Sequence, residues 1–190
     1  MHVTVLTLLA SISPLLTFAA LWQVKEWRLD RLGEHLGREG WLRQIFGITR
    51  PAVLAIFGVL GALGFSEWVL GALISLSVLT LVQLGLRKQK MPKWTRKAEA
   101  IIALSIALTY IATLPPTPYS LLPLIPLLQS LSVFSAWLIL FPIDQHLKLR
   151  IMQYAKRVRE RCPEMQVIGI TGSVGKTTTK LLLEHILAER

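Results

Sequence analysis

A short segment near the end of the chain has residue types and spacing suited to holding phosphate groups. Gly172 and Gly175 allow the backbone to turn tightly and to direct N–H groups toward phosphate oxygens. Lys176 supplies a positive charge for β- and γ-phosphates, and the Thr177 hydroxyl is a ligand for Mg²⁺. The segment therefore predicts a nucleotide phosphate site in which Thr177 contacts the metal.

The elements that flank this loop are those that a phosphate loop requires. Residues 165–170 form a short run rich in β-branched residues, which predicts a buried strand, and leucines at helical spacing follow the loop. Such a helix adds the positive end of its dipole to the site. The strict phosphate-loop pattern needs glycine where Ile170 stands, so the alternative is an incidental Gly-Lys-Thr in a surface loop. Lys180 and the hydroxyls of Thr178 and Thr179 are either further nucleotide contacts or helix-surface groups.

The string Gly-Ile-Thr-Gly-Ser-Val-Gly-Lys-Thr-Thr-Thr-Lys at 169–180 resembles the ATP-binding loop of the Mur ligase family, which lacks the same glycine. Within the family, the serine at 173 and the lysine at 180 make this string most similar to the loop of the UDP-N-acetylmuramoyl-tripeptide D-alanyl-D-alanine ligases. The resemblance implies that ATP phosphorylates a carboxylate and that an amine then forms an amide, in peptidoglycan precursor synthesis. It implies ATP and Mg²⁺ as cofactors, and these nucleotide-binding residues: Thr171, Gly172, Ser173, Val174, Gly175, Lys176, Thr177 and Thr178.

The resemblance covers only about residues 165–190. The family's metal-binding Glu and His and its modified lysine have no counterpart in this stretch, so no catalytic residue is assigned. One strand and one helix cannot bury a core. We therefore expect residues 164–190 to be the incomplete start of an α/β ATP-binding domain. We also expect the chain to be a fragment of a longer protein and to be inactive by itself.

The composition points to a membrane protein. Of the 190 residues, 53% are hydrophobic and 17% charged, and the mean hydropathy is +0.53. This is more apolar than soluble domains, and it excludes a disordered or nucleic-acid-binding protein despite a formal charge of +10. We expect residues 1–143 to form an all-α bundle in the lipid bilayer, followed by an amphipathic stalk over 144–163.

Uncharged runs predict five transmembrane helices. Residues 25–50 are predicted to be an amphipathic interfacial segment, with an ordinary solvated connector as the alternative. Glu67 marks the turn of a helical hairpin, with an ion path through that carboxylate as the alternative. Glycines at 58, 61, 64 and 71 predict close helix approach. Pro123, Pro126 and Pro142 should kink or cap the last span. The predicted spans are 3–24, 51–66, 69–86, 98–114 and 121–143.

The basic residues set the predicted orientation. All 21 lysines and arginines fall within 25–50, 87–97 and the part after 143. Five spans with the N-terminus outside place every one of them on the cytoplasmic side, as the positive-inside rule requires. We therefore predict a multi-pass cell-membrane protein whose ATP-binding segment is cytoplasmic.

These observations leave three hypotheses for function. The first is the N-terminal part of a membrane-anchored Mur-ligase-like enzyme, whose substrate is a nucleotide-sugar peptide or a lipid-linked cell-wall precursor. The second is a non-catalytic membrane anchor or scaffold with a vestigial loop. The third is an ATP-driven exporter component, which the scarcity of ionisable residues within the spans disfavours.

Overall fold

A computed structural model describes residues 2–114, 116–162, 164, 168–171 and 175–188. Within these ranges all regular structure is helical and no strand is present. The chain divides into two compact units, the first ending at Ile143 and the second beginning at Asp144. The α-helices are α1 (His2–Val24), α2 (Leu29–Glu39), α3 (Trp41–Phe46), α4 (Thr49–Ala62), α5 (Trp68–Gly85), α6 (Arg96–Ala112), α7 (Leu124–Leu127), α8 (Gln129–Arg161) and α9 (Lys176–Ala188), with a 3₁₀ turn at Tyr119–Leu121.

Helix α1 is the centre of the first unit and packs against α5, α6 and α7. Its Trp22 is fully buried, with ring centroids 5.1 Å from Trp137 and 5.8 Å from Trp27. Phe18 and Phe134 complete the aromatic cluster at about 6 Å. Aromatic pairs at such distances are attractive beyond the area that they bury. This cluster joins α1 to the start of α8 and to the turn after α1.

Pro14 lies inside α1 and explains how α1 and α5 are joined. A proline has no N–H, so the carbonyl of the residue four positions earlier, Ala10, loses its helical donor. The Thr80 hydroxyl of α5 donates to Ala10 O at 3.3 Å, and the Ser77 hydroxyl donates to Leu6 O at 3.1 Å. Neighbouring helices satisfy backbone carbonyls in this way where lipid cannot. The proline thus creates an acceptor that α5 fills.

Helices α4 and α5 form the predicted hairpin, and two of its four predicted glycines permit the close approach. A Cβ built on Gly71 would lie 2.5 Å from Cε1 of Phe57, and one on Gly61 would lie 2.8 Å from Cδ1 of Trp68. Both contacts are shorter than a real Cβ makes, so a side chain at either position would require the aromatic ring to move. The other two predicted glycines have no neighbouring atom within 4 Å, so for them the prediction was wrong.

The structure does not support five spans. By length and apolarity, α1 and α5 can each cross a membrane, and a third crossing is possible if the bent pair Tyr119–Leu127 and Gln129–Arg161 counts as one. Helix α4 has 14 residues, which is about 21 Å at 1.5 Å per residue, against about 30 Å of hydrocarbon. Helix α6 has 17 residues and begins with Arg96 and Lys97. Uncharged runs of sequence were predicted to be spans, but α4 and α6 are shorter than a typical span.

The predicted span 121–143 is broken rather than continuous. Its two parts meet at a bend of 70° on either side of Leu128, after Pro123 and Pro126. Gln129, at the start of α8, is 1% exposed and donates through Nε2 to Thr109 Oγ1 at 2.9 Å. Pro142 lies within α8, which continues to Arg161 and ends before Cys162, as predicted for the stalk.

Candidate functional site

The structure describes part of the predicted phosphate loop. Thr171 is exposed in an irregular segment, and the residues at 172–174, predicted as Gly172, Ser173 and Val174 of the site, lie outside the described residues. So do three residues of the predicted strand, Met165 to Val167, and the remaining residues 168–170 are irregular. A strand needs a partner strand for its backbone groups, and none is present in the described ranges. The predicted strand and α/β domain are therefore not seen.

The end of the loop has the geometry that a phosphate site requires. Gly175 has a φ of +81°, a left-handed conformation that glycine adopts without strain. Helix α9 begins at the next residue, Lys176, and both the backbone N–H and the hydroxyl of Thr179 donate to Gly175 O, at 2.9 and 3.0 Å. The sequence had predicted this helix. Lys176, Thr177 and Thr178 therefore occupy its first turn, where amide groups have no partner within the helix and the dipole is positive.

These described residues fit a phosphate group. The first turn of α9 offers backbone donors, the Lys176 charge and two threonine hydroxyls, and all of them are exposed. The Thr177 hydroxyl is of the type that completes an Mg²⁺ coordination shell whose other oxygens come from phosphates and water. Within the described residues, no group of three or more His, Cys, Asp or Glu side chains is placed to hold a metal ion.

Helix α9 has no hydrophobic core around it. None of its residues is buried, and its large apolar side chains other than Leu183 are at least half-exposed. Those above 50% exposure are Leu181, Leu182 and Ile186. The predicted site thus lies on a helix that buries none of its residues.

The first unit contains a polar cluster that the sequence did not predict. Arg50, at the start of α4, donates through Nη2 to Ser13 Oγ at 2.8 Å and to Gln83 Oε1 at 3.3 Å. Gln89 donates through Nε2 to Thr17 Oγ1 at 2.9 Å. Burial among neutral acceptors lowers the pKa of the Arg50 guanidinium. These groups are separated by 33 to 76 residues, so no local pattern could have revealed the cluster.

A cleft of about 900 Å³ lies at the C-terminal end of α1. Basic side chains from two separate parts of the chain meet there, Lys25 after α1 and Lys90 and Lys93 from the loop before α6. Glu39 and His35 of α2 line the other side. The only sequence signal for this cleft was the cluster of basic residues over 87–97, which had been interpreted as a topology signal alone.

Comparison of the chain with protein-family models, curated proteins and solved structures finds no match in any of the three. The site must therefore be interpreted from its own residues.

Proposed function

We propose that the chain is the N-terminal part of a membrane-anchored, ATP-dependent, Mur-ligase-like enzyme that forms an amide bond in peptidoglycan precursor synthesis. In this reaction a substrate carboxylate oxygen takes the γ-phosphoryl group and ADP leaves. A substrate amine then attacks the acyl carbon, the C–N bond forms, and inorganic phosphate and a proton are released.

The observation that carries this proposal is the junction of Gly175 and α9. A left-handed glycine leads directly into Lys176 at the first position of a 13-residue helix, and this happens within the 169–180 string that resembles the family's loop. In the proposal the amides of 172–176 cradle the phosphates, Lys176 neutralises their charge and Thr177 orients Mg²⁺. The same features suit any phosphate-loop protein, and the amide chemistry comes from the resemblance.

The proposal includes the placement in the cell membrane. Two apolar helices long enough to cross a bilayer are compatible with membrane association. We propose that the N-terminus is outside and the stalk and phosphate loop are cytoplasmic, because three basic clusters then share one side. Five crossings satisfy this rule if α4 and α6 cross with local thinning of the bilayer, whereas three crossings would leave the basic residues of 87–97 on the outer side.

The test is titration of the full-length natural protein with MgATP in lipid nanodiscs, because residues 164–190 alone are expected to be only the start of the ATP-binding domain. Loss of a charge-assisted contact is worth roughly 1.5–3 kcal/mol, so Lys176→Ala should weaken binding by at least about tenfold. Lys180→Ala, one turn further along α9, is the matched control and should change the affinity by less than about twofold if it is a helix-surface group. In the natural enzyme, ATP labelled with ¹⁸O in its β,γ-bridge should scramble the label only when carboxylate substrate is present. Equal ATP affinity of wild type and Lys176→Ala would contradict the proposal and favour the non-catalytic anchor.

A further inference from the structure

Two cavities adjoin along α1 in the first unit. The cleft at the end of α1, defined above, has about 900 Å³, and an apolar groove of about 500 Å³ runs along the preceding turns of α1 and along α6. Residues between Val5 and Leu16 of α1 and between Ile102 and Thr109 of α6 line this groove. Both volumes are in the range of sites for small molecules.

The loop before α6 joins the two cavities. Gln23 Nε2 donates to Lys93 O at 2.7 Å, and Lys93 N donates to Gln23 Oε1 at 2.6 Å, which fixes this loop to the end of α1. Lys93 lines the cleft and the next residue, Trp94, lines the groove. Consecutive residues of this loop therefore line the two cavities, and a single elongated ligand that occupied both would pass Trp94.

The chemistry of the two cavities differs. The cleft carries the ammonium groups of Lys25, Lys90 and Lys93 against the one carboxylate of Glu39, so it favours an anion. The groove is lined by Leu, Ile and Val, and its few polar residues are already engaged. Ser11 donates to Thr7 O at 2.7 Å, and Gln129 bonds with Thr109. The groove therefore presents apolar surface to its occupant.

We propose that α1, α6 and the loop over residues 90–94 form a binding site for a phosphate-bearing membrane lipid, with its headgroup in the cleft and one chain in the groove. A soluble phosphate compound would leave the groove empty, and a neutral lipid would leave three ammonium groups with the single counter-charge of Glu39. The site rests on the proposed membrane placement but not on the nucleotide loop. Its residues all belong to the first unit, whereas the loop belongs to the second.

The test is native mass spectrometry of the chain released from nanodiscs of phosphatidylcholine that contain phosphatidic acid as the probe. The triple variant K25Q/K90Q/K93Q should retain at least about tenfold less phosphatidic acid than wild type, given roughly 1 kcal/mol for each basic side chain near anionic lipid. The variant R87Q/K88Q/R96Q is matched in charge and lies in and beside the same loop, outside the cleft lining. It should retain phosphatidic acid within about twofold of wild type.

A second pair of variants tests the groove. Ile106→Trp should fill it and reduce retention of phosphatidic acid, whereas Ile111→Trp on the same helix, outside the groove and 60% exposed, should not. Excess inorganic phosphate should not displace the lipid. Full displacement by phosphate, equal losses in both triple variants, or no effect of Ile106→Trp would each overturn the proposal.

The two proposals fail in different ways. The triple variant should bind MgATP like wild type. A chain that inserts into nanodiscs without selecting phosphatidic acid overturns the lipid site alone. A chain that is not recovered in nanodiscs overturns both the membrane placement and this site.

Discussion

The two compact units differ in how far they bury apolar side chains and pair polar groups. In the first unit the buried polar groups are bonded across helices, as Thr80 to Ala10 and Gln129 to Thr109, around a core that includes Trp22. In the second, α9 buries none of its residues. Packing thus determines the structure of the first unit, whereas α9 depends on local signals, namely a glycine that begins it and its leucine-rich sequence. We therefore expect substitutions to affect stability in the first unit and ligand binding in the second.

The largest effect should come from truncating the aromatic core. Trp22→Ala should lower the free energy of unfolding by about 3 kcal/mol, the lower end for such a substitution, because lipid also solvates the indole ring after unfolding. Leu182→Ala, in the exposed α9, should change it by less than about 0.5 kcal/mol. Unfolding by sodium dodecyl sulfate in mixed micelles measures both. Equal losses would show that α9 is packed as firmly as α1, which would remove the contrast between the units.

The close approach of α4 and α5 should give the next largest effect. Gly71→Ala places a methyl group against the Phe57 ring and should destabilise by about 1–3 kcal/mol. Gly58→Ala, on the same hairpin, meets no atom within 4 Å and should be neutral or stabilising by up to about 1 kcal/mol, because alanine favours helix. The same micelle titration checks this pair. A stabilising Gly71→Ala would contradict the described hairpin packing.

A smaller effect should follow from removing the hydrogen bond that Thr80 donates to Ala10 O, the carbonyl that Pro14 leaves without a helical donor. Thr80→Val leaves Ala10 O without its donor and should cost about 1 kcal/mol, close to the values for hydrogen bonds between membrane helices. In a Pro14→Ala background the backbone N–H of residue 14 can donate to Ala10 O, so Thr80→Val should cost less there. The double-mutant cycle should thus give a coupling of a few tenths of a kcal/mol. Independent, additive effects would show that Thr80 does not replace the lost backbone donor.

Features set by neighbouring residues were predictable from the sequence, and features set by distant residues were not. The helices over 3–24 and 69–86, the hairpin turn at Glu67, the end of the stalk helix at Arg161 and the start of α9 follow from apolar runs, prolines and glycines. A kink near Pro123 and Pro126 was predicted, whereas the 70° size of the bend and the hydrogen bond from Gln129 to Thr109 on α6 were not. Arg50 and Ser13 are 37 residues apart and meet only in the folded bundle.

The same distinction between local and distant interactions applies to the candidate site. The glycine-to-helix junction at Gly175 and Lys176 is local and was predicted. Of the strand expected before the loop, residues 168–170 are described and are irregular, and the described ranges contain no partner strand for them. The basic cleft was not predicted, because the positive-inside rule already accounted for the lysines of 87–97. The sequence alone does not show that two of them also line a cleft.

The proposed ligase requires the phosphate loop to lie on the cytoplasmic side, where ATP is present. The chain has one cysteine, Cys162, which is exposed beside the end of α8 and serves as a natural probe. A membrane-impermeant maleimide should label Cys162 in inside-out vesicles and leave it unlabelled in right-side-out vesicles. Labelling in right-side-out vesicles would place the loop away from cellular ATP and contradict both the orientation and the ligase proposal.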